Sequence, residues 1–316
     1  MRKLIFVSSM LLFGSAVSMG QIEPIKYGNF ENWITRYIHE SSLLGGNTQT
    51  LYEVGPTATI DGNKPYVNQG GSPWGTSNVF ARPMKIAKGS NAVSPADRPG
   101  KGKCAKLESK LEHVKALGFI NMDVMVAGSM FLGDMIEPIT STKNPYSNMN
   151  MGRPYTKRPK NIVLDYKLDM PANPTRTKAT GFGSKKTLPG IDEAAVYMYL
   201  QRRWEDENGN IHAKRVGTAG RTFSKATDWV NGLRIPVVYG DCSNKPSMDW
   251  LGLRSKDDAY YARNSKGKLV PVIEEGWDSA DAKPTHVVLM ISAGNGEPFV
   301  GTEGLTFYVD NVGFEQ

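Results

Sequence analysis

Two acidic residues at opposite ends of the chain could do metal chemistry together. Glu31 follows Gly28-Asn29-Phe30, and Asp310 closes the run Leu305-Thr306-Phe307-Tyr308-Val309. That run alternates with period two and is preceded by the glycine-rich stretch Gly294 to Gly301, so it reads as a strand that stops on the turn pair Asp310-Asn311. In a closed β-sandwich the first and last strands commonly lie side by side, which would bring Glu31 and Asp310 together. Two carboxylates with backbone carbonyls around them form an oxygen-rich site suited to Ca²⁺. Two solvated carboxylates at strand ends are the alternative.

A second constellation lies in Ala195 to Trp204. Val196, Met198, Leu200 and Trp204 share one strand face, and Tyr197, Tyr199, Gln201 and Arg203 share the other. Two phenol rings, an amide and a guanidinium at alternate positions combine stacking planes with planar hydrogen-bonding groups, which suits a hydroxyl-rich ligand such as a glycan. An amphipathic outer face shielding a sandwich from water has the same pattern.

Other chemistry has no anchor in the sequence. The four histidines, His39, His113, His212 and His286, lie far apart without the His-Glu-x-x-His spacing of a zinc site. No Gly-x-Ser-x-Gly elbow is present. Lys101-Gly102-Lys103 and Gly181 to Thr187 both lack the spacing of a phosphate-binding loop. A glycosidase needs two carboxylates about 5 to 10 Å apart across a sugar bond, and sequence does not say which of the 31 acidic residues converge.

The elements that must position these groups are strands and turns. The 316 residues include 33 Gly and 19 Pro with 40% apolar content, a turn-rich β composition and not a disordered one. Residues 1–20 read as an export signal: Arg2 and Lys3, the apolar run Leu4 to Val17, then small residues at Ser18 and Gly20. The run is too short for a membrane anchor, and no later stretch is long and apolar enough to be one. Export to the periplasm or the outer cell surface is the expectation. Residues 21–316 are then expected to form one large β domain with long loops and an irregular insertion at about 245–282. Basic residues are scattered and not grouped with stacking aromatics, which excludes a nucleic-acid interface.

Further strands are predicted at Cys104–Leu107, Val124–Leu132, Ile162–Leu168, Leu233–Tyr239 and Thr285–Ser292, with Asn208-Gly209 turning a hairpin. Residues 21–82 read as one short strand followed by loops. Trp33 and Trp74 are read as plugs at the end of a core in preference to sugar platforms. Export permits a Cys104–Cys242 disulfide, and a buried free Cys104 fits its strand equally well.

The Asn-x-Phe-Glu opening and the Tyr-Val-Asp-Asn-Val close resemble the ends of β-sandwich carbohydrate-binding modules, in several of which this glutamate and this aspartate ligate a structural calcium. Phe30-Glu31-Asn32-Trp33, Pro73 to Thr76, Lys103 to Ser109, Phe131-Leu132-Gly133 and Gly152 to Pro159 extend the match across most of the chain. With the closing stretch they resemble the putative carbohydrate metabolism domain family, known mostly from secreted proteins of gut Bacteroidetes. At Ser72 to Thr76 the Trp and Gly are transposed relative to that pattern. The resemblance implies an all-β jelly-roll sandwich, a glycan partner, a structural Ca²⁺ at Glu31 and Asp310, and a role in polysaccharide utilisation. It names no catalytic pair. A non-catalytic binder is therefore the leading expectation, a glycoside hydrolase or polysaccharide lyase the second, and a structural or adhesive surface protein the third.

Overall fold

The computed structural model describes residues 20–116, 120–141, 143–181, 183–295 and 297–316. Apart from Gly20, the expected export signal lies outside them. The described chain is almost wholly β. Two large sheets pack face to face over one main core, the arrangement expected of a sandwich.

The first sheet runs Thr180–Gly181, Ile120–Ala127, Gly102–Ala116, Thr306–Glu315, Asn161–Asp169 and Thr227–Pro236 in spatial order. Ile22–Pro24 pairs with the end of Thr306–Glu315, Ile22 opposite Glu315, so the first and last strands do adjoin. The second sheet runs Met149–Met151, Ser129–Met135, His286–Ser292, Ala194–Glu205, Ile211–Phe223, Leu269–Trp277 and Tyr261–Arg263. Its centre is the long hairpin of Ala194–Glu205 with Ile211–Phe223, turned through Gly209 at φ +84°. The core takes alternate residues from both sheets, among them Leu164, Tyr166, Val196, Met198, Leu289, Phe307 and Val309.

Four sequence expectations change. Asp310-Asn311 does not end its strand: Asn311 takes a left-handed φ of +52°, the ladder to Asn161–Asp169 slips there, and the strand continues to Glu315. The turn-prone pair makes a bulge instead. Val124–Leu132 is two strands, because at Gly128 the chain leaves the first sheet for the second. A Cβ at Gly128 would sit 2.3 Å from the Ala92 carbonyl oxygen, so only glycine allows that crossing.

The third change is at 21–82, where Trp33–His39, Thr48–Val54 and Ala58–Asp61 form a small sheet of their own. Arg36 and Glu53 occupy inward positions of that sheet and hide its apolar period. They are tolerated because the Arg36 guanidinium binds Glu53 at 2.7 Å and Glu137 at 2.6 Å, all three side chains being buried. Fourth, 245–282 is not an irregular insertion. It supplies two sheet strands and two short 3₁₀ turns, Pro246–Leu251 and Lys256–Asp258, laid over the second sheet.

Trp33 and Trp74 are both buried in the main core, their indole N–H groups donating to the carbonyls of Phe30 and Lys26. Cys104 and Cys242 are free and buried. Arg153 binds Asp134 and the carbonyls of Pro73 and Gly133, which fastens its loop to the sheet.

Candidate functional site

The alternation of Ala194–Glu205 puts Tyr197, Tyr199, Gln201 and Arg203 on the face turned from the main core, as its period requires. That face is not open to solvent. Cys242, Met248, Leu251 and Tyr260 close over Tyr197 and Tyr199 as a second core, leaving the two rings 3% and 2% exposed. The reason lies in the segment after residue 240, whose own apolar side chains need a surface to bury.

Most polar groups on this face bind one another, and one nitrogen of Arg203, Nη2, is buried without a hydrogen-bond partner among the described residues. Gln201 donates to Glu274 at 2.7 Å and accepts from Arg203 at 2.8 Å. Arg203 also donates to the Met151 carbonyl, and burial pushes its guanidinium down to about 10. Arg215 forks onto Glu274 and lies 3.5 Å from the centre of the Tyr199 ring. Burial opposes charge on Glu274, yet the Arg215 guanidinium beside it holds its carboxyl below the usual range. Burial raises Tyr197, Tyr199 and Tyr260, so these phenols stay protonated and are no reservoir of base at neutral pH.

Glu31 and Asp310 are also committed elsewhere. Both Glu31 carboxylate oxygens accept from the Lys103 N–H, at 3.1 and 3.2 Å. The Asp310 carboxylate binds the Arg98 guanidinium at 2.5 Å, and the same nitrogen reaches Asp165 at 2.8 Å. Trp229 covers that guanidinium at 4.1 Å. A charge carried by the protein stands where the calcium expectation put an ion, and these residues do not fit an oxygen cage. Among the described residues no three His, Cys, Asp or Glu side chains cluster as metal ligands.

The open concavity lies beside the expected face. A groove of about 430 Å³ is floored by Phe131, Tyr197, Met290 and Ser292 of the second sheet and walled by Met122–Ala127 of the first. The paired strands Val79–Ala81 and Lys88–Ser90 with the segment between them, residues 139–141 and 143–149, and residues 297–299 complete it. Of the four predicted ligand residues, only Tyr197 reaches it. Its size is that of an ordinary small-ligand site. Two carboxylates line it, Glu112 and Glu297. Glu112 pairs with Lys88 and Lys110, and Glu297 with Arg176 and Lys178. Sequence reasoning passed over this groove because its lining comes from segments far apart in the chain. The one signal was the Gly294–Gly301 loop, whose Phe299 lines it.

Comparison with solved structures gives likenesses at low identity. A putative glycoside hydrolase from Bacteroides vulgatus is 14% identical with a TM-score of 0.47, over 91% of this chain and 96% of that one. A putative glycoside hydrolase from Bacteroides thetaiotaomicron is 15% identical with a TM-score of 0.42, over 85% and 75%. No curated protein matches. The family model described as "Putative carbohydrate metabolism domain" matches residues 30–240, more than half of the chain and most of both sheets. The chain therefore belongs to the putative carbohydrate metabolism domain family.

Proposed function

We propose that this protein recognises glycans without turning them over, as an exported component of polysaccharide utilisation. Family membership supports the carbohydrate link. The observation that carries the non-catalytic reading is the state of the groove's two carboxylates. Glu112 and Glu297 are each opposed by two cations, whereas glycoside hydrolysis wants one carboxyl kept protonated and another free to attack or to activate water. A lyase-type tyrosine base finds no support either, because burial raises Tyr197 at the groove floor. Export is supported by the N-terminal pattern Arg2-Lys3, Leu4–Val17, Ser18-Met19-Gly20.

The full chain on a polysaccharide and oligosaccharide array, read for binding and for release of reducing ends, tests this. Binding without release is the expected result. Reducing-end release would overturn the non-catalytic reading, and silence in both channels would leave a structural or adhesive surface role. N-terminal sequencing of protein from the cell envelope should begin at Gln21 if the leader is removed as proposed.

A further inference from the structure

Six of the fourteen methionines in the sequence line the one groove: Met84, Met122, Met125, Met135, Met149 and Met290. They come from both large sheets and, for Met84, from the segment joining the paired strands Val79–Ala81 and Lys88–Ser90, so no strand period explains their meeting. Thioether chains are unbranched and polarisable, and they adapt to apolar ligands of irregular shape. A bare sugar chain wants hydroxyl partners along its length. The floor offers little of that, since its Ser129 and Ser292 hydroxyls bond each other at 2.8 Å.

Two further features mark the groove as a binding surface. Met84 is 58% exposed and held at φ +49°, and Phe299 is held at φ +61°. Left-handed backbone is costly for a bulky residue, and such strain concentrates at ligand clamps. The rim carries one uncompensated cation. Lys88 and Lys143 line it with Glu112 and Glu297; Lys88, Lys110, Arg176 and Lys178 are taken up by those two carboxylates, whereas Lys143 is exposed and forms no ion pair among the described residues.

We propose that the groove takes an acidic glycolipid-type ligand, its acyl chain along the methionine floor and its acidic sugar head at Lys143 on the rim. The proposal rests on the glycan-recognition reading above and narrows it to sugars that carry an apolar substituent.

Titration calorimetry of the full chain, below micelle-forming concentrations, separates the parts. The probes are octyl β-glucuronide, free glucuronate, octyl β-glucoside and octanoate. Octyl glucuronide should bind at least tenfold more tightly than glucuronate and severalfold more tightly than octyl glucoside. Each added methylene in a hexyl-to-decyl series should gain roughly three- to fourfold, the expected yield of burying one CH₂. Met84→Asp, at an exposed position, should cut alkyl glucuronide affinity tenfold with unchanged melting. Lys143→Glu should weaken the glucuronide and spare the glucoside.

Equal affinity for glucuronate and octyl glucuronide would overturn the groove assignment and leave glycan recognition standing. Octanoate binding as tightly as octyl glucuronide would overturn both. Self-association abolished by Met84→Asp would mean that a second copy fills the groove, and it would overturn the proposal. Binding of array polysaccharides with no response to any alkyl probe would overturn this inference alone.

Discussion

Arg98 and Asp310, 212 residues apart in sequence, are joined by a buried hydrogen-bonded ion pair at 2.5 Å. Both side chains are 3% exposed, and Arg98 extends the same nitrogen to Asp165. The pair ties the strand Val93–Arg98 to the bulged middle of the closing strand. Desolvation is the leading influence on Asp310 and raises it, and the hydrogen bond from Arg98 works in the opposite direction.

Removing that guanidinium leaves two carboxylates facing each other with little water. Arg98→Met should cost about 3 kcal/mol or more in unfolding free energy, as breaking a buried pair from one side does. Because Arg98 supplies the charge, a chelator should leave the melting temperature of the unmodified protein unchanged. Thermal melts with and without EDTA check both statements. A chelator-induced drop would restore calcium at Glu31 and Asp310.

Glu274 holds Arg215, Gln201 and the Arg254 N–H at once. Glu274→Ala should destabilise by about 3–5 kcal/mol, since it strands a fully buried guanidinium. Denaturant unfolding measures this. Tyr199→Phe removes no surface that a ligand can reach, so it should leave glycan affinity unchanged while Met84→Asp lowers alkyl glucuronide affinity.

Glu53 gives the stability a pH dependence with a definite sign. Burial raises it to about 7, with Arg36 opposing and Glu137 adding to the rise. Its folded value lies above the ordinary 4.5, so the native state binds the extra proton between those values. Stability from this group is greatest below pH 4.5 and falls as pH rises to about 7, by a total on the order of 3 kcal/mol. His286 acts in the opposite direction. Burial, then Arg203, lowers it to about 4, so its contribution is lost as pH falls from 6.5. The two slopes oppose each other between about pH 4.5 and 6.5. Glu53→Gln should abolish the loss approaching neutrality and expose the His286 slope, in unfolding free energies measured from pH 4 to 8.

Gly128→Ala should destabilise strongly. The new methyl would meet backbone on two sides, 2.3 Å from the Ala92 oxygen and 2.6 Å from the Glu108 nitrogen, and backbone cannot rotate away as a side chain can. A loss of at least 1–3 kcal/mol is expected, the usual cost of overpacking. Gly100→Ala provides a control with open space around it. Its φ of +69° makes it the stricter comparison, since only backbone strain is added there.

Where apolar residues alternate without interruption, the sequence alone determined the strand. Ala194–Glu205, Asn161–Asp169 and His286–Ser292 follow from their period, and the Asn208-Gly209 turn from the conformation only such residues favour. The two ends of the chain likewise carried the pairing of first strand with last, made by Ile22–Pro24. What the sequence did not determine was which side of a strand remains wet. Tyr197, Tyr199, Gln201 and Arg203 have the pattern of an exposed face, and only the later segment through Tyr260 and Glu274 buries them. Arg36 and Glu53 fail the apolar pattern although they are interior, because each neutralises a charge brought from elsewhere in the chain. Asp310 could be assigned to an ion or to solvent by type alone, and the guanidinium it binds, that of Arg98, comes from 212 residues away. The methionine groove is of the same kind. Periodicity records how a residue relates to its own strand, whereas partners and cavities come from segments the chain brings together only on folding.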